Sequence, residues 1–146
     1  MQVGLLIVTF LAGITLAMQV GCNRALGASL GNAASAIFTN FAVGFAAMAL
    51  FVTVMQVALP TRAAVSSAPW WSWLGGIFGA FYVITATLVV ARIGVVSLLA
   101  ISIAGQLLAS LVIDHYGLLG LAQQSITATK LAGSGLLMIG MWLIIR

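Results

Sequence analysis

WSWLGGIFGAFYVITATLVVARIGVVSLLAISIAGQLLASLVI, residues 71–113, is the stretch that decides the fold, and Arg92 is its one charged residue. A helix needs about 20 apolar residues to cross the hydrocarbon core of a bilayer, which is about 30 Å thick. The short segment Arg92-Ile93-Gly94 divides the stretch into two lengths of that size. The sequence therefore predicts two membrane-spanning helices here, residues 71–91 and 95–113, joined by a tight turn.

Further apolar runs predict three more spanning helices, over residues 3–20, 32–59 and 131–145. Asn32 is a candidate N-cap of the second of these, and Pro60 is expected to follow its end. The runs are continuous rather than alternating, which argues against a transmembrane β-barrel. We therefore predict an all-α, polytopic membrane protein. Residues 1–146 are expected to form a single five-helix domain, equivalent to one half of a ten-helix transporter.

The composition excludes several classes of protein. Hydrophobic residues make up 64% of the 146 residues and charged residues only 4%, against about 25% charged in average soluble domains. The lipid bilayer is therefore the expected partner, and the scattered basic residues give no sign of nucleic-acid binding. One acid and one histidine are too few for a paired-carboxylate mechanism or a metal-ligand cluster. We expect neither an enzyme nor a bound cofactor.

The ends of the predicted helices carry residues typical of membrane interfaces. Tryptophans near two of these ends resemble an aromatic belt, and Thr61–Pro69 is predicted to be a polar loop. Cys22 has two interpretations, a small residue near a helix end or a lipoprotein anchor. The first is favoured because Gln19 is a poor cleavage-box residue and no lysine or arginine precedes the apolar run. We expect the N-terminal run to be retained as the first helix.

The basic residues are almost evenly divided between the two sides of the membrane. Five helices place Arg62 and Lys130 on one side, and the other side holds Arg24, Arg92 and Arg146. A difference of one charge is a weak bias under the positive-inside rule. One interpretation is insertion in both orientations, so that two copies form an antiparallel dimer resembling an inverted repeat. The alternative is one orientation with the Arg24 side in the cytoplasm.

Polar residues recur every fourth position on two of the predicted helices. A step of four drifts by only about 40° on an α-helix, so each set forms a stripe. Polar groups in hydrocarbon face helix interfaces or a water-filled cavity. We predict that the two stripes line a substrate path. The alternative for each residue is a hydrogen bond between helices. The candidate residues of the path are Gln19 and Asn23 on helix one, and Ser102, Gln106 and Ser110 on helix four.

Other residues are candidates for narrower roles. Tyr82, with Phe78, could offer a ring face to a cationic or aromatic substrate, although core packing is the favoured role. Asp114 and His115 are candidates for proton coupling, against the favoured interpretation of a polar pair at a helix end. Asn40 and Gln56 are further path candidates, with a structural role favoured.

Three motifs carry a resemblance to a known family. They are Gln19-x3-Asn23-x2-Leu26, Gly75-Gly76-x2-Gly79-Ala80-x-Tyr82, and Gly105-Gln106-x3-Ser110-x3-Asp114-His115-x-Gly117. With them, the whole chain resembles the five-helix YdcZ-like exporters of the drug/metabolite transporter superfamily. The resemblance implies a multi-pass protein of the bacterial inner (plasma) membrane. It also implies small-molecule transport by a homodimer or with a paired family member, often with dual topology.

The chain is also similar in size and class to the four-helix small multidrug exporters. Those proteins carry a membrane-embedded glutamate in helix one, and this chain has no acid there. Their proton-coupled mechanism therefore does not carry over. The function expected from the sequence is export of a small metabolite or drug-like molecule by an antiparallel homodimer. A passive channel and a non-transporting membrane assembly subunit are the alternatives.

Overall fold

The computed structural model describes residues 2–146. Within that range it contains helices and connecting segments but no strand, so the all-α prediction is confirmed. The α-helices are α1 (Gln2–Leu30), α2 (Ala33–Val54), α3 (Arg62–Ser67), α4 (Gly75–Tyr116) and α5 (Ala128–Ile145), with 3₁₀ turns at Trp70–Leu74 and Leu118–Gly120. Four of the helical stretches are long and apolar enough to cross a membrane.

The third of these stretches, Trp70–Tyr116, counts as two spans. It contains 47 residues, which would measure about 70 Å as a continuous helix, more than twice the thickness of the hydrocarbon core. Gly94 interrupts it with non-helical angles, φ 79° and ψ 166°. The break lies where the sequence predicts a turn, and it leaves helical segments 75–93 and 95–116, each long enough to cross. The fold is therefore consistent with five spanning helices.

The first helix extends ten residues beyond its predicted end, because α1 runs to Leu30 rather than to residue 20. The predicted helix stopped before the polar residues that follow residue 20, but Asn23 is buried and has a hydrogen-bond partner on α2. The Asn23 amide oxygen is hydrogen-bonded there, and α1 continues through this segment. It ends at Gly31, whose φ of +78° is the left-handed conformation that commonly terminates helices.

The second helix begins as predicted and ends early. Asn32 is its N-cap, and its side chain accepts a hydrogen bond from the Ser35 backbone at 2.7 Å. The last helical residue is Val54 rather than residue 59. Backbone bonds from Gln56 N to Thr53 O and from Val57 N to Val52 O form a Schellman motif, which satisfies the carbonyls at the end of the helix. Gln56, at φ +49°, therefore lies outside the helix.

The connecting segments also differ from prediction. Thr61–Pro69 is not wholly a loop, because it contains α3, whose N-cap Thr61 accepts a hydrogen bond from Ala64 N. The fourth predicted helix continues from residue 113 to Tyr116. The fifth begins at Ala128 rather than residue 131, because the Thr127 side chain caps it by accepting from Lys130 N. At its far end Arg146 lies over the Trp142 ring, 4.5 Å from the centroid.

The chain forms two compact units, one ending at Leu88 and the other Val89–Arg146. In the first unit α1 packs on α2, and Gly27 lies beside the start of α2, where an added Cβ would make an ordinary contact with Ala33 Cα at 3.6 Å. Large apolar side chains such as Phe10 and Phe38 are exposed instead of buried. Such a surface is suited to hydrocarbon, since apolar patches of this extent are rare on soluble monomers.

Candidate substrate site

A groove in the first unit combines polar and aromatic residues. It has a volume of about 430 Å³ and lies against α1, α2 and the first half of α4. Three amide side chains line it, together with apolar residues from α2 and α4. The amides are Gln19, Asn23 and Asn40; the other lining residues are Phe41, Gly44, Phe45, Met48 and Val83. We call this the amide groove.

The centre of the amide groove is a hydrogen-bonded pair of asparagines. Asn40 Nδ2 on α2 donates to Asn23 Oδ1 on α1. Asn23 is only 2% exposed, whereas Asn40 is half-buried. An asparagine side chain has two donor hydrogens and two acceptor lone pairs, so one mutual bond leaves further donors and acceptors on both amides. A polar solute entering the groove can use these remaining positions.

Gln19 lies one turn before Asn23 on α1 and is exposed at the edge of the groove. Residues four apart share a helix face, which brings these two side chains together as the spacing predicted. Thr15, the next residue of the same stripe, instead donates to its own helix at Ala12 O, 2.7 Å away. Asn40 had been assigned mainly a structural role, yet it completes the groove. The feature of the sequence that could have indicated Asn40 as a site residue is that it is an amide within an apolar run.

The other three path candidates belong to the second unit. Ser102 is half-buried, Gln106 and Ser110 are exposed, and Ser110 Oγ donates to Leu107 O at 2.9 Å. A groove of about 200 Å³ in this unit has an apolar lining from α4 and α5, which includes Ala100, Ile103 and Ala104. The three polar candidates do not line it. The structure therefore brings Gln19 and Asn23 together with Asn40 in the first unit.

Two further grooves lie in the first unit. One of about 400 Å³ is wholly apolar and shares Phe41 with the amide groove. Another, of about 520 Å³, is lined mainly by small residues of α1 and contains Arg24. Tyr82 is half-buried and Phe78 exposed, but neither lines these three grooves. A ring contact between substrate and Tyr82 stays a prediction.

Asp114 and His115 organise the connection that follows α4. The Asp114 backbone oxygen accepts hydrogen bonds from Gly117 N at 3.3 Å and Gln124 N at 2.7 Å. The His115 backbone oxygen accepts from Gln123 Nε2 at 2.8 Å, and its Nδ1 lies 3.5 Å from Ile126 N. These contacts hold the following segment against the helix end. Of the two side chains, only that of His115 takes part in these contacts, and a role of the pair in proton coupling stays a prediction.

Comparison with known proteins identifies the family. The model of a family described as "Putative inner membrane exporter, YdcZ" matches residues 4–143. The chain belongs to this family. It is 29% identical over 82 residues to the inner membrane protein YdcZ of Escherichia coli (strain K12). The match covers 56% of this chain and 54% of the relative, so it spans about half the length of that protein. No solved structure matches the chain.

Family membership and the four long apolar helical stretches together identify an inner-membrane protein. They confirm the predicted membrane class and location. The family description is that of a membrane exporter, which is a transporter rather than an enzyme.

Proposed function

We propose that this chain forms half of an inner-membrane transporter that exports small polar or cationic metabolites or drug-like molecules. The observation that carries the proposal is the amide groove, where three amides lie beside apolar residues of α2 and α4. Polar groups at membrane depth are costly and are retained where they line substrate pathways or hold helices together. The aromatic residues Phe41 and Phe45 beside these amides suit a solute with both polar and apolar parts.

The complete transporter is an antiparallel homodimer of copies inserted in opposite orientations. The nearly even division of basic residues supports this arrangement, since five spanning helices would place three on one side and two on the other. A pair of inverted copies reproduces the architecture of transporters built from inverted repeats, in which rocking about a midplane site alternates access. A chain of 146 residues then serves as one repeat, equivalent to one half of a ten-helix protein.

Removing the amide at the edge of the groove is expected to slow transport without disturbing the asparagine pair. Proteoliposomes containing wild-type chain or Gln19→Leu are loaded separately with choline, ethidium or labelled glycerol, and efflux is followed. We expect saturable efflux of at least one probe by the wild type and a roughly tenfold loss in Gln19→Leu, equivalent to about 1.4 kcal/mol. Thr9→Val is the matched control, since Thr9 bonds only to Leu5 O of its own helix.

The same vesicles distinguish a carrier from a channel. A carrier exchanges labelled for unlabelled probe in counterflow and saturates, whereas a channel does neither. Equal efflux from wild type and Gln19→Leu would remove the amide groove from the pathway. No flux of any probe above empty vesicles would favour a non-transporting subunit.

The orientation of the chain is tested by tagging its C-terminus. Cells producing the chain with a C-terminal cysteine, in a Cys22→Ala background, are treated with a membrane-impermeant maleimide before and after lysis. We expect labelling of comparable fractions on both sides of the membrane, because the charge bias is a single residue. Adding two lysines after Arg146 is expected to shift the population to one orientation. Labelling from one side only in the unmodified chain would reject the antiparallel dimer.

A further inference from the structure

One groove of the first unit combines a single arginine with small side chains. Its volume is about 520 Å³, and Arg24 is the one charged residue in a lining that also includes Ala33 of α2 and Thr87 of α4. The remaining lining residues are glycines and alanines of α1, and a Cβ added at Gly21 would meet nothing within 4 Å. We call this the Arg24 groove. It has room for a bulky group beside a positive charge.

The charge of Arg24 has no counterpart within the first unit. Residues 1–88 include no aspartate or glutamate, and the one acid of the chain is Asp114 in the second unit. The Thr87 hydroxyl donates to Val83 O of its own helix at 2.8 Å. A guanidinium offers five donors in a planar fork that fits the oxygens of a phosphate. The Arg24 groove therefore suits an anion that bears a phosphate group.

A second groove shares Ala33 with the first and has a wholly apolar lining. Its volume is about 400 Å³, and it is lined by α2 and the first half of α4. We call it the α2–α4 groove. Its lining runs from Ala33 to Phe41 along α2, and from Leu88 to Ala80 along α4. Each run advances by eight residues, so the groove is about 12 Å long at a rise of 1.5 Å per residue.

The Ala33 end of the α2–α4 groove lies nearer to the membrane surface. Ala33 is the first residue of α2 and follows the non-helical turn Gly31-Asn32. Non-helical backbone is excluded from lipid-exposed hydrocarbon, so this turn belongs at the interface. The groove extends from there by about 12 Å, most of the roughly 15 Å depth of one leaflet. Because Ala33 also lines the Arg24 groove, that groove lies at the interfacial end.

The two grooves match the two parts of a phospholipid with a net negative charge. The phosphate of such a lipid lies at the interface, where it can meet Arg24, and an acyl chain runs from there towards the midplane. A soluble anion would use Arg24 and leave the apolar groove unfilled. A zwitterionic lipid would bring an ammonium group of the same charge as Arg24. The chemistry of the grooves therefore favours an anionic lipid over both.

We propose that the Arg24 groove and the α2–α4 groove together bind one anionic phospholipid. The Arg24 guanidinium holds the phosphate, and one acyl chain lies along α2 towards Phe41. Phe41 lines the amide groove as well, so the end of this chain lies at the border of the candidate substrate site. The lipid site does not depend on the transport activity proposed above.

Native mass spectrometry of the full-length chain, purified in an uncharged detergent, tests this site. The chain is mixed with phosphatidylglycerol or with phosphatidylcholine of identical acyl chains, and the lipid retained is measured. We expect the wild type to keep a single phosphatidylglycerol with a roughly tenfold preference, because its contact with Arg24 is a charge-assisted hydrogen bond. Arg24→Gln is expected to lose this preference.

Two further variants and a competitor complete the test. Arg62→Gln is the matched control, since Arg62 is also an exposed arginine of the first unit and lines neither groove. It is expected to keep the preference. Ala25→Leu retains Arg24 but narrows its groove, and it is expected to weaken phosphatidylglycerol retention with unchanged helical content by circular dichroism. Excess inorganic phosphate is expected to leave the lipid bound, because it cannot occupy the α2–α4 groove.

Several outcomes would overturn the lipid site. Equal retention of both lipids by the wild type would do so, as would a loss in Arg62→Gln as large as that in Arg24→Gln, which would indicate general attraction to a basic protein. Displacement of the lipid by inorganic phosphate would indicate a site for a soluble anion. A headgroup preference that appears only in Asp114→Asn would show that Asp114 occupies Arg24 in the wild type.

Discussion

Asn40→Ala is expected to destabilise the first unit by about 1–3 kcal/mol, because it leaves the buried Asn23 amide without its partner. Asn23→Ala is expected to cost less, since Asn40 is only half-buried and can reach water or headgroups. The double variant Asn23→Ala/Asn40→Ala is expected to be more stable than Asn40→Ala alone, because no buried amide remains unsatisfied. The measurement is reversible unfolding in mixed detergent micelles, analysed as a double-mutant cycle.

Export by the same variants separates the structural from the transport role of the pair. All three are expected to lose efflux at least about tenfold, including the double variant whose stability recovers. Thr9→Ala, at an exposed position of α1, is the control and is expected to stay within about 0.5 kcal/mol of wild type. Efflux that recovers with stability in the double variant would show that the asparagines serve only the fold. Additive single effects would show that the two amides do not interact.

Gly94→Ala is expected to produce the second large effect, a destabilisation on the order of 1–3 kcal/mol. Nothing lies within 4 Å of a Cβ added at Gly94, so the cost does not come from crowding. It comes from the backbone, because φ 79° with ψ 166° belongs to a region that is essentially restricted to glycine. An alanine there favours a helical conformation and disfavours the break that divides α4 into two spans.

Gly79→Ala is the matched control for this prediction. Gly79 lies in the same helix, its φ is not positive, and a Cβ there also meets nothing within 4 Å. Alanine is a better helix former than glycine by up to about 1 kcal/mol, so Gly79→Ala is expected to be neutral or stabilising. Both variants are compared with wild type by thermal unfolding in detergent, followed by circular dichroism at 222 nm. Shifts of the same sign and size would contradict a backbone role specific to Gly94.

The helical class of the protein and the number of its helices could be predicted from the sequence, because the bilayer restricts the backbone conformation of a spanning segment. Lipid offers the backbone no hydrogen bonds, so apolar runs of spanning length must be helical. The division of residues 71–113 was readable from Arg92-Ile93-Gly94, and the structure places the break at Gly94. Local chemistry also identified Asn32 as an N-cap. These features depend on residues close together in the chain, and they were predicted correctly.

Helix ends were predicted poorly where a tertiary contact or a particular backbone turn decided them. The segment after residue 20 has loop-like composition, yet α1 continues through it because Asn23 meets Asn40 on the neighbouring helix. The second helix stops at Val54 because Gln56 adopts a left-handed conformation usually taken by glycine. Neither outcome has a clear signal in the local pattern of residue types.

The sequence by itself determined that the chain is a helical membrane protein and that its polar residues lie in stripes. It also determined that its five basic residues divide almost evenly between the two sides that five spanning helices predict. Tertiary structure alone decided which polar residues share a site. Asn23 and Asn40 are 17 residues apart, and they meet because the chain turns at Gly31 and α1 packs on α2. Periodicity fixes the face of one helix on which a side chain lies. The residue it meets on another helix depends on the packing of the two helices, which no local pattern encodes.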